Sequence, residues 1–241
     1  MGLPRGHLAW IWLVVTTVLA CLLILVPRKW LLPAAQSLLV WPVLVADLRD
    51  RKTGDAVRHM LFWALLTSVC TIEWTLHAPA AAERSIWRAS AYREEMFRYI
   101  RTGIGAEGSP RLFLPQHVLH YLGTLLLSGL SLGLAGLALG ALLLDYMNIY
   151  VGALIREGAR PFPGALFGWP VWAILRVVAF ILGAIATASF GLGWIRRRSE
   201  PPPASTRKLL YWSFAFFLLD LVIKWTVAPH WRRILQRALD R

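Results

Sequence analysis

Two pairs of potential metal ligands flank one polar segment of the chain. Glu73 and His77 are four residues apart, which places them on one face of a helix. His117 and His120, three residues apart, also share a face. Both pairs border residues 80–116, so we expect them on the same side of a membrane. Imidazole and carboxylate together suit zinc or iron, and helical bundles build such sites from facing pairs. The pattern is consistent with a zinc, iron or haem site, or with ordinary hydrogen bonding at a wet interface.

A second group of polar residues lies inside apolar stretches, where ionisable side chains are costly. Asp145 and Asn148 are three residues apart, and Arg176 is expected at a similar depth in the next apolar stretch. These residues indicate a buried Asp145–Arg176 ion pair, or a polar pathway for a proton, an ion or an anionic substrate. Farther along, Asp220 precedes Lys224 by four residues, the favourable order for an ion pair within one helix.

Residues 103–108 match the pattern G-x-G-x-x-G. That motif binds a dinucleotide only where a strand precedes it and a helix begins at the phosphate. Here the glycines follow a predicted helix and run into Pro110, and no βαβ unit is predicted anywhere. We therefore interpret the segment as a loop and exclude nucleotide binding.

The elements that must position these side chains are apolar. Of the 241 residues, 57% are hydrophobic and 16% are charged, whereas soluble domains average about 25% charged. The surplus apolar surface requires lipid around it, and about 20 apolar residues cross a bilayer as a helix. The predicted spans are 8–26, 58–78, 117–155, 169–195 and 209–227, with a shorter, proline-interrupted segment at 31–46.

The stretch 117–155 is too long for one crossing, because a single helix would extend about 60 Å, about twice the hydrocarbon thickness. We predict a helical hairpin that turns near residues 132–136; the alternative is one span followed by an interfacial helix. Gly129, Gly133, Gly136 and Gly140 favour close helix packing. The fold class is therefore an all-α polytopic transmembrane helix bundle of six or seven spans, with residues 1–241 forming a single integral membrane domain.

Residues 80–116 form the one sizeable polar loop. An amphipathic helix is predicted over residues 81–101, because apolar side chains recur at helical spacing with charged ones around them. The apolar positions are Ile86, Ala89, Tyr92, Met96 and Ile100. We expect this interfacial helix on the bilayer surface; the alternative is a docking site for a protein partner.

The net charge is +13, and the basic residues lie between the apolar segments. Their expected partners are the lipid bilayer and its anionic headgroups, not nucleic acid. The basic clusters at 49–58 and 196–208 leave the orientation open. Compact loops and a preference for Arg over Lys favour a bacterial inner membrane.

Together these features predict a non-catalytic, transporter-like protein or an assembly subunit of a membrane complex with other membrane or peripheral subunits. The alternative is a membrane-embedded metal- or haem-binding enzyme or redox subunit.

Overall fold

The computed structural model describes residues 4–195 and 204–239, and this part of the chain is almost entirely helical, without strands. Two short 3₁₀ turns, Leu22–Leu25 and Ala106–Gly108, interrupt the α-helices. The α-helices within the described residues are α1 (His7–Cys21), α2 (Leu31–Arg49), α3 (Thr53–His77), α4 (Pro79–Ser85), α5 (Ala89–Thr102), α6 (Pro110–Ser131), α7 (Leu134–Glu157), α8 (Pro161–Phe167), α9 (Val171–Ile195) and α10 (Ala204–Leu239).

Five helical stretches in the described residues are long and apolar enough to cross a membrane. They are His7–Leu25, Leu31–Arg49, Leu134–Glu157, Pro161–Ile195 and Ala204–Arg237. These stretches indicate a membrane protein and confirm the predicted all-helical class, although not the count of six or seven spans. Helices α3 and α6 are long as well but more polar, since α3 carries Asp55, Arg58 and Glu73.

Helices α6 and α7 form the hairpin predicted within residues 117–155. The chain reverses at Leu132 and Gly133, which both take left-handed φ values, of 54° and 94°. A Cβ atom at Gly136 would overlap the hydroxyl of Ser128, so the two helices approach closely because a glycine stands there. The first helix begins earlier than expected, at Pro110, where a proline in the first turn loses no hydrogen bond.

The predicted amphipathic helix at residues 81–101 is two helices, α4 and α5. They are separated by a break in which Arg88 takes a left-handed φ of 57°. The apolar face of α5 packs against other helices: Met96 and Ile100 are buried in a cluster with Tyr150 of α7 and Trp231 of α10. The predicted contact of this apolar face with the bilayer surface is therefore wrong, because neighbouring helices cover the face; the interfacial position of the helix stays a prediction.

Contacts between helix ends show which loops share an end of the bundle. Ser85 donates a hydrogen bond of 2.6 Å to the carbonyl of Ile24, and Arg232 donates one of 3.1 Å to the carbonyl of Ile100. The segment 79–109 therefore covers one end of the bundle, together with the α1–α2 connection and the last part of α10. Part of the basic cluster at 196–208, residues 196–203, lies outside the described residues.

Candidate functional site

A cavity lies between α3, α5, α6, α7, α9 and α10, towards the end that segment 79–109 covers. Its empty volume is about 930 Å³, open mouth included. Aromatic and charged side chains line it together, which is unusual between apolar helices. Its polar and aromatic lining includes Tyr92, Glu95, Glu107, His117, His120, Tyr146, Arg176 and Lys224.

Arg176 of α9 holds Asp220 of α10 through two parallel hydrogen bonds. Its Nε donates to Asp220 Oδ2 at 3.0 Å, and one terminal nitrogen donates to Oδ1 at 2.9 Å. This bidentate geometry is the strongest arrangement that the two groups can form. Asp220 is fully buried, whereas Arg176 is 20% exposed and lines the cavity. The guanidinium is thus fixed on one side and open to the cavity on the other.

Lys224 lies one turn beyond Asp220, and its partner is Glu107. The two groups are 2.8 Å apart, and the ammonium also lies 4.6 Å from the centre of the Phe113 ring. Lys224 is fully buried. Burial opposes ionisation of Glu107, but the Lys224 ammonium and the Arg176 guanidinium outweigh it and hold the pKa of Glu107 below its ordinary value.

Both ion pairs predicted from the sequence are wrong, because the structure gives the residues other partners. The structure does not join Asp145 to Arg176, because α9 and α10 pack along each other and bring Asp220 to the guanidinium. Nor do Asp220 and Lys224 form the expected ion pair with each other, because each finds a partner from another element of the bundle. Sequence spacing identified the charged residues but not the helix packing that pairs them.

His117 connects the two ion pairs. Its Nε2 lies 3.4 Å from Lys224 Nζ, and its Nδ1 lies 3.7 Å from Asp220 Oδ2. An ammonium only donates hydrogen bonds, so Nε2 acts as the acceptor and the ring proton of a neutral imidazole stays on Nδ1, facing Asp220. We call these five residues, Glu107, Lys224, His117, Asp220 and Arg176, the charged cluster.

The four predicted metal ligands do not come together. Glu73 and His77 form an exposed contact of 3.4 Å with each other on α3, while His117 and His120 line the cavity. Within residues 4–195 and 204–239, no group of three or more His, Cys, Asp or Glu side chains is arranged to hold a metal ion. Glu73 and His77 are exposed and do not line the cavity, so the two pairs are separated.

Asp145 and Asn148 lie elsewhere in the bundle and do not line the cavity with Arg176. Asp145 Oδ1 accepts hydrogen bonds from Gln36 and Thr71. Asn148 Oδ1 accepts one of 3.0 Å from the indole of Trp169. The three residues of the predicted polar pathway are thus divided between the cavity and a separate buried site.

Glu107 was not predicted from the sequence; the glycine-rich loop, residues 103–108, positions it. Gly103 takes a left-handed φ of 79°, and a Cβ atom there would overlap the Arg232 guanidinium. A Cβ atom at Gly108 would lie 2.6 Å from the Tyr99 ring. The glycines therefore let the loop pack tightly beside its only acidic residue, Glu107. Lys224 in an apolar span was the sequence signal for this acid, because a buried ammonium group requires a counter-charge nearby.

Comparison with protein-family models, with curated proteins and with solved structures finds no match to this chain. Its class therefore rests on the fold and the site alone. The chain is an all-helical protein with apolar helices that can span a membrane, and these helices enclose a charged cluster beside a cavity.

Proposed function

We propose that this chain is a non-catalytic, transporter-like membrane protein whose cavity binds a small polar solute. The observation that carries the proposal is the charged cluster, which lies among apolar helices and presents Arg176 to the cavity. Charged groups at membrane depth are costly, and they mark solute or ion pathways by default. A purely structural ion pair would not require the empty volume beside it.

The charges around the cavity favour a solute with a cationic group. The charged cluster contains two cations and two carboxylates, and Glu95 adds a third carboxylate that forms no ion pair within the described residues. One net negative charge remains when the histidines are neutral. Tyr92 and Tyr146 line the same space with ring centres 4.6 Å apart, and aromatic faces attract cations. A small organic amine or a zwitterion fits this chemistry.

We further propose seven spans, with α3 and α6 crossing the membrane in addition to the five apolar stretches. These helices contain 25 and 22 residues, so each is longer than the ~30 Å hydrocarbon layer at 1.5 Å per residue. Seven crossings agree with the end contacts, which place segment 79–109 and the last part of α10 at one end. The Arg-rich composition supports the proposed location in a bacterial inner membrane.

A second candidate is a subunit of a membrane complex. Of the five candidate spans, α10 is the least covered by the rest of the chain. Its exposed aromatic residues include Tyr211, Trp212 and Trp225, which fit lipid or a neighbouring subunit. A partner that co-purifies in mild detergent, and that is lost when Trp212 and Trp225 are replaced by alanine, supports this candidate; a solitary chain contradicts it.

The solute-binding proposal is tested by filling the cavity. Gly140 lines it, and a Cβ atom there meets nothing within 4 Å, so Gly140→Phe places a ring in the empty space. Gly193 also has open space around it but lies outside the lining, which makes Gly193→Phe the matched control. The measurement is the melting temperature of the purified protein with small amines, amino acids and organic anions.

We expect some cationic or zwitterionic compounds to raise the melting temperature of the wild type and of Gly193→Phe. The same compounds should leave Gly140→Phe unchanged. Stabilisation that persists in Gly140→Phe, or that comes from anions alone, contradicts the proposal.

A further inference from the structure

A buried carboxyl group lies apart from the cavity, where α2, α3 and α7 meet. Asp145 of α7 is 2% exposed, and Gln36 of α2 is fully buried beside it. The Gln36 amide nitrogen donates to Asp145 Oδ1 at 3.0 Å, and the Thr71 hydroxyl donates to the same oxygen at 3.1 Å. Two helices therefore converge on one oxygen of this carboxyl group.

Among residues 4–195 and 204–239, no cation pairs with Asp145. From α2 it meets Gln36 and from α3 it meets Thr71, and both are neutral. The titratable group that approaches from α1 is the thiol of Cys21, 3.9 Å from the Gln36 amide nitrogen. The thiol of Cys70 from α3 lies beside that of Cys21. Within the described residues, no charged side chain of α4, α5, α6, α8 or α9 contacts Asp145. A carboxylate here would be an isolated buried charge, the most costly state that a side chain can take.

Two acceptor atoms at this site lack a donor. Asp145 Oδ2 and Gln36 Oε1 are both buried, and neither has a hydrogen-bond partner in the described part of the chain. An ionised carboxylate and an amide oxygen only accept, so they cannot satisfy each other. A single proton on Oδ2 removes the charge and provides the missing donor. The acid would then donate from Oδ2 to Gln36 Oε1 while Oδ1 accepts from the Gln36 amide nitrogen, a ring of two hydrogen bonds in opposite directions.

We propose that Asp145 is a proton-binding site inside the membrane and that the proton is the coupling ion of the transport proposed above. Asp145 takes the proton from water and returns it there, with no other bond made or broken. Loss of the proton leaves an uncompensated charge among α2, α3 and α7, so these helices must rearrange to hydrate it. Because α7 also lines the cavity through its neighbours Leu144 and Tyr146, a shift of α7 reaches the solute site.

Infrared spectroscopy of the purified, full-length protein tests the proton site without any solute. At neutral pH the spectrum should contain the carbonyl stretch of a protonated carboxylic acid. Asp145→Asn should remove that band, since the amide is a neutral mimic of the acid and can still donate to Gln36. Asp55→Asn is the matched control, because Asp55 is a partly exposed partner of Arg58; it should leave the band unchanged.

Gln36→Leu adds an independent readout. It removes both hydrogen bonds of the acid–amide ring, so the band should persist but move to higher frequency. If Asp145→Asn does not fold, Asp145→Glu serves instead, and a shift of the same band makes the assignment. A wild-type spectrum without the band, or a band unaffected by changes at Asp145, overturns the proton site.

The coupling is tested separately, by following tryptophan fluorescence as the pH is raised. The wild type should show a transition that Asp145→Asn lacks. A fluorescence transition common to both proteins overturns the coupling. A melting temperature of the wild type that rises with sodium but does not change with pH also overturns it. Neither result depends on the cavity-filling experiment, so the proton site and the solute site can fail separately.

Discussion

The guanidinium of Arg176 and the carboxylate of Asp220 join α9 to α10 through hydrogen bonds of 3.0 and 2.9 Å. Asp220 has no contact with solvent, whereas Arg176 lines the cavity. The pair therefore combines two tasks: it neutralises a carboxylate buried between helices, and it holds a cation on the wall of the cavity.

Removing one member of this pair should destabilise the protein more than removing both. Arg176→Gln leaves a buried carboxylate without its partner, which costs about 3–5 kcal/mol. The double variant Arg176→Gln with Asp220→Asn removes both charges and should recover much of that loss. Unfolding of the purified protein in detergent measures the difference. Additive effects of the two changes would contradict the pairing.

The second ion pair should show the same asymmetry. Glu107→Gln leaves the Lys224 ammonium buried without a counter-charge, so we expect a loss of several kcal/mol. Lys224→Met added to Glu107→Gln should restore stability, because a methionine fills a similar volume without a charge. Glu83→Gln is the control, since Glu83 pairs with Arg93 outside the cavity. Equal losses in Glu107→Gln and Glu83→Gln would contradict a special role for Glu107.

The ionisation of Glu107 predicts a dependence on pH. Its pKa is lower in the folded protein than its ordinary value, so the stabilisation is fully present above about pH 4.3, the unfolded pKa. It is lost as the pH falls through the lower, folded pKa. The wild type should therefore lose more stability on acidification than Glu107→Gln. Identical acid profiles of the two proteins would show that Glu107 is not held in its charged form.

The glycine-rich loop should tolerate little change at Gly108. An alanine there would press against the ring of Tyr99, which is 2% exposed and cannot move freely. We expect Gly108→Ala to cost about 1–3 kcal/mol, the usual penalty of overpacking. Gly54→Ala is the control, because a Cβ atom at Gly54 meets nothing within 4 Å. The melting temperatures of the two variants make the comparison, and equal values would contradict the tight packing.

The helical class and the hairpin followed from the sequence because both depend on local properties. Apolar segment length predicts a helix in lipid, and a stretch about twice the bilayer thickness cannot cross it as one straight span; the glycines at 129–140 favoured the hairpin over a span followed by an interfacial helix. The burial of Met96 and Ile100 by α7 and α10 could not be predicted in this way. An amphipathic face has the same pattern whether lipid or protein covers it.

The charged residues of the site were also identifiable, but their partners were not. Spacing within one helix favoured the pairing of Asp220 with Lys224, and similar depth favoured that of Asp145 with Arg176. The actual partners depend on which helices are neighbours, and on a loop that brings Glu107 to Lys224. Such contacts between distant parts of the chain leave no periodic signal in a single sequence.

The most direct test of the central claim, a polar and negatively charged cavity among membrane helices, is thiol labelling at Gly140. In a background with Cys21→Ala and Cys70→Ala, Gly140→Cys places a thiol in the cavity, and Leu126→Cys places one on an exposed apolar surface. We predict that a water-soluble cationic thiol reagent modifies Gly140→Cys in membranes faster than an anionic reagent does, and leaves Leu126→Cys unmodified. Absence of labelling at Gly140→Cys, or faster labelling by the anionic reagent, would contradict the account.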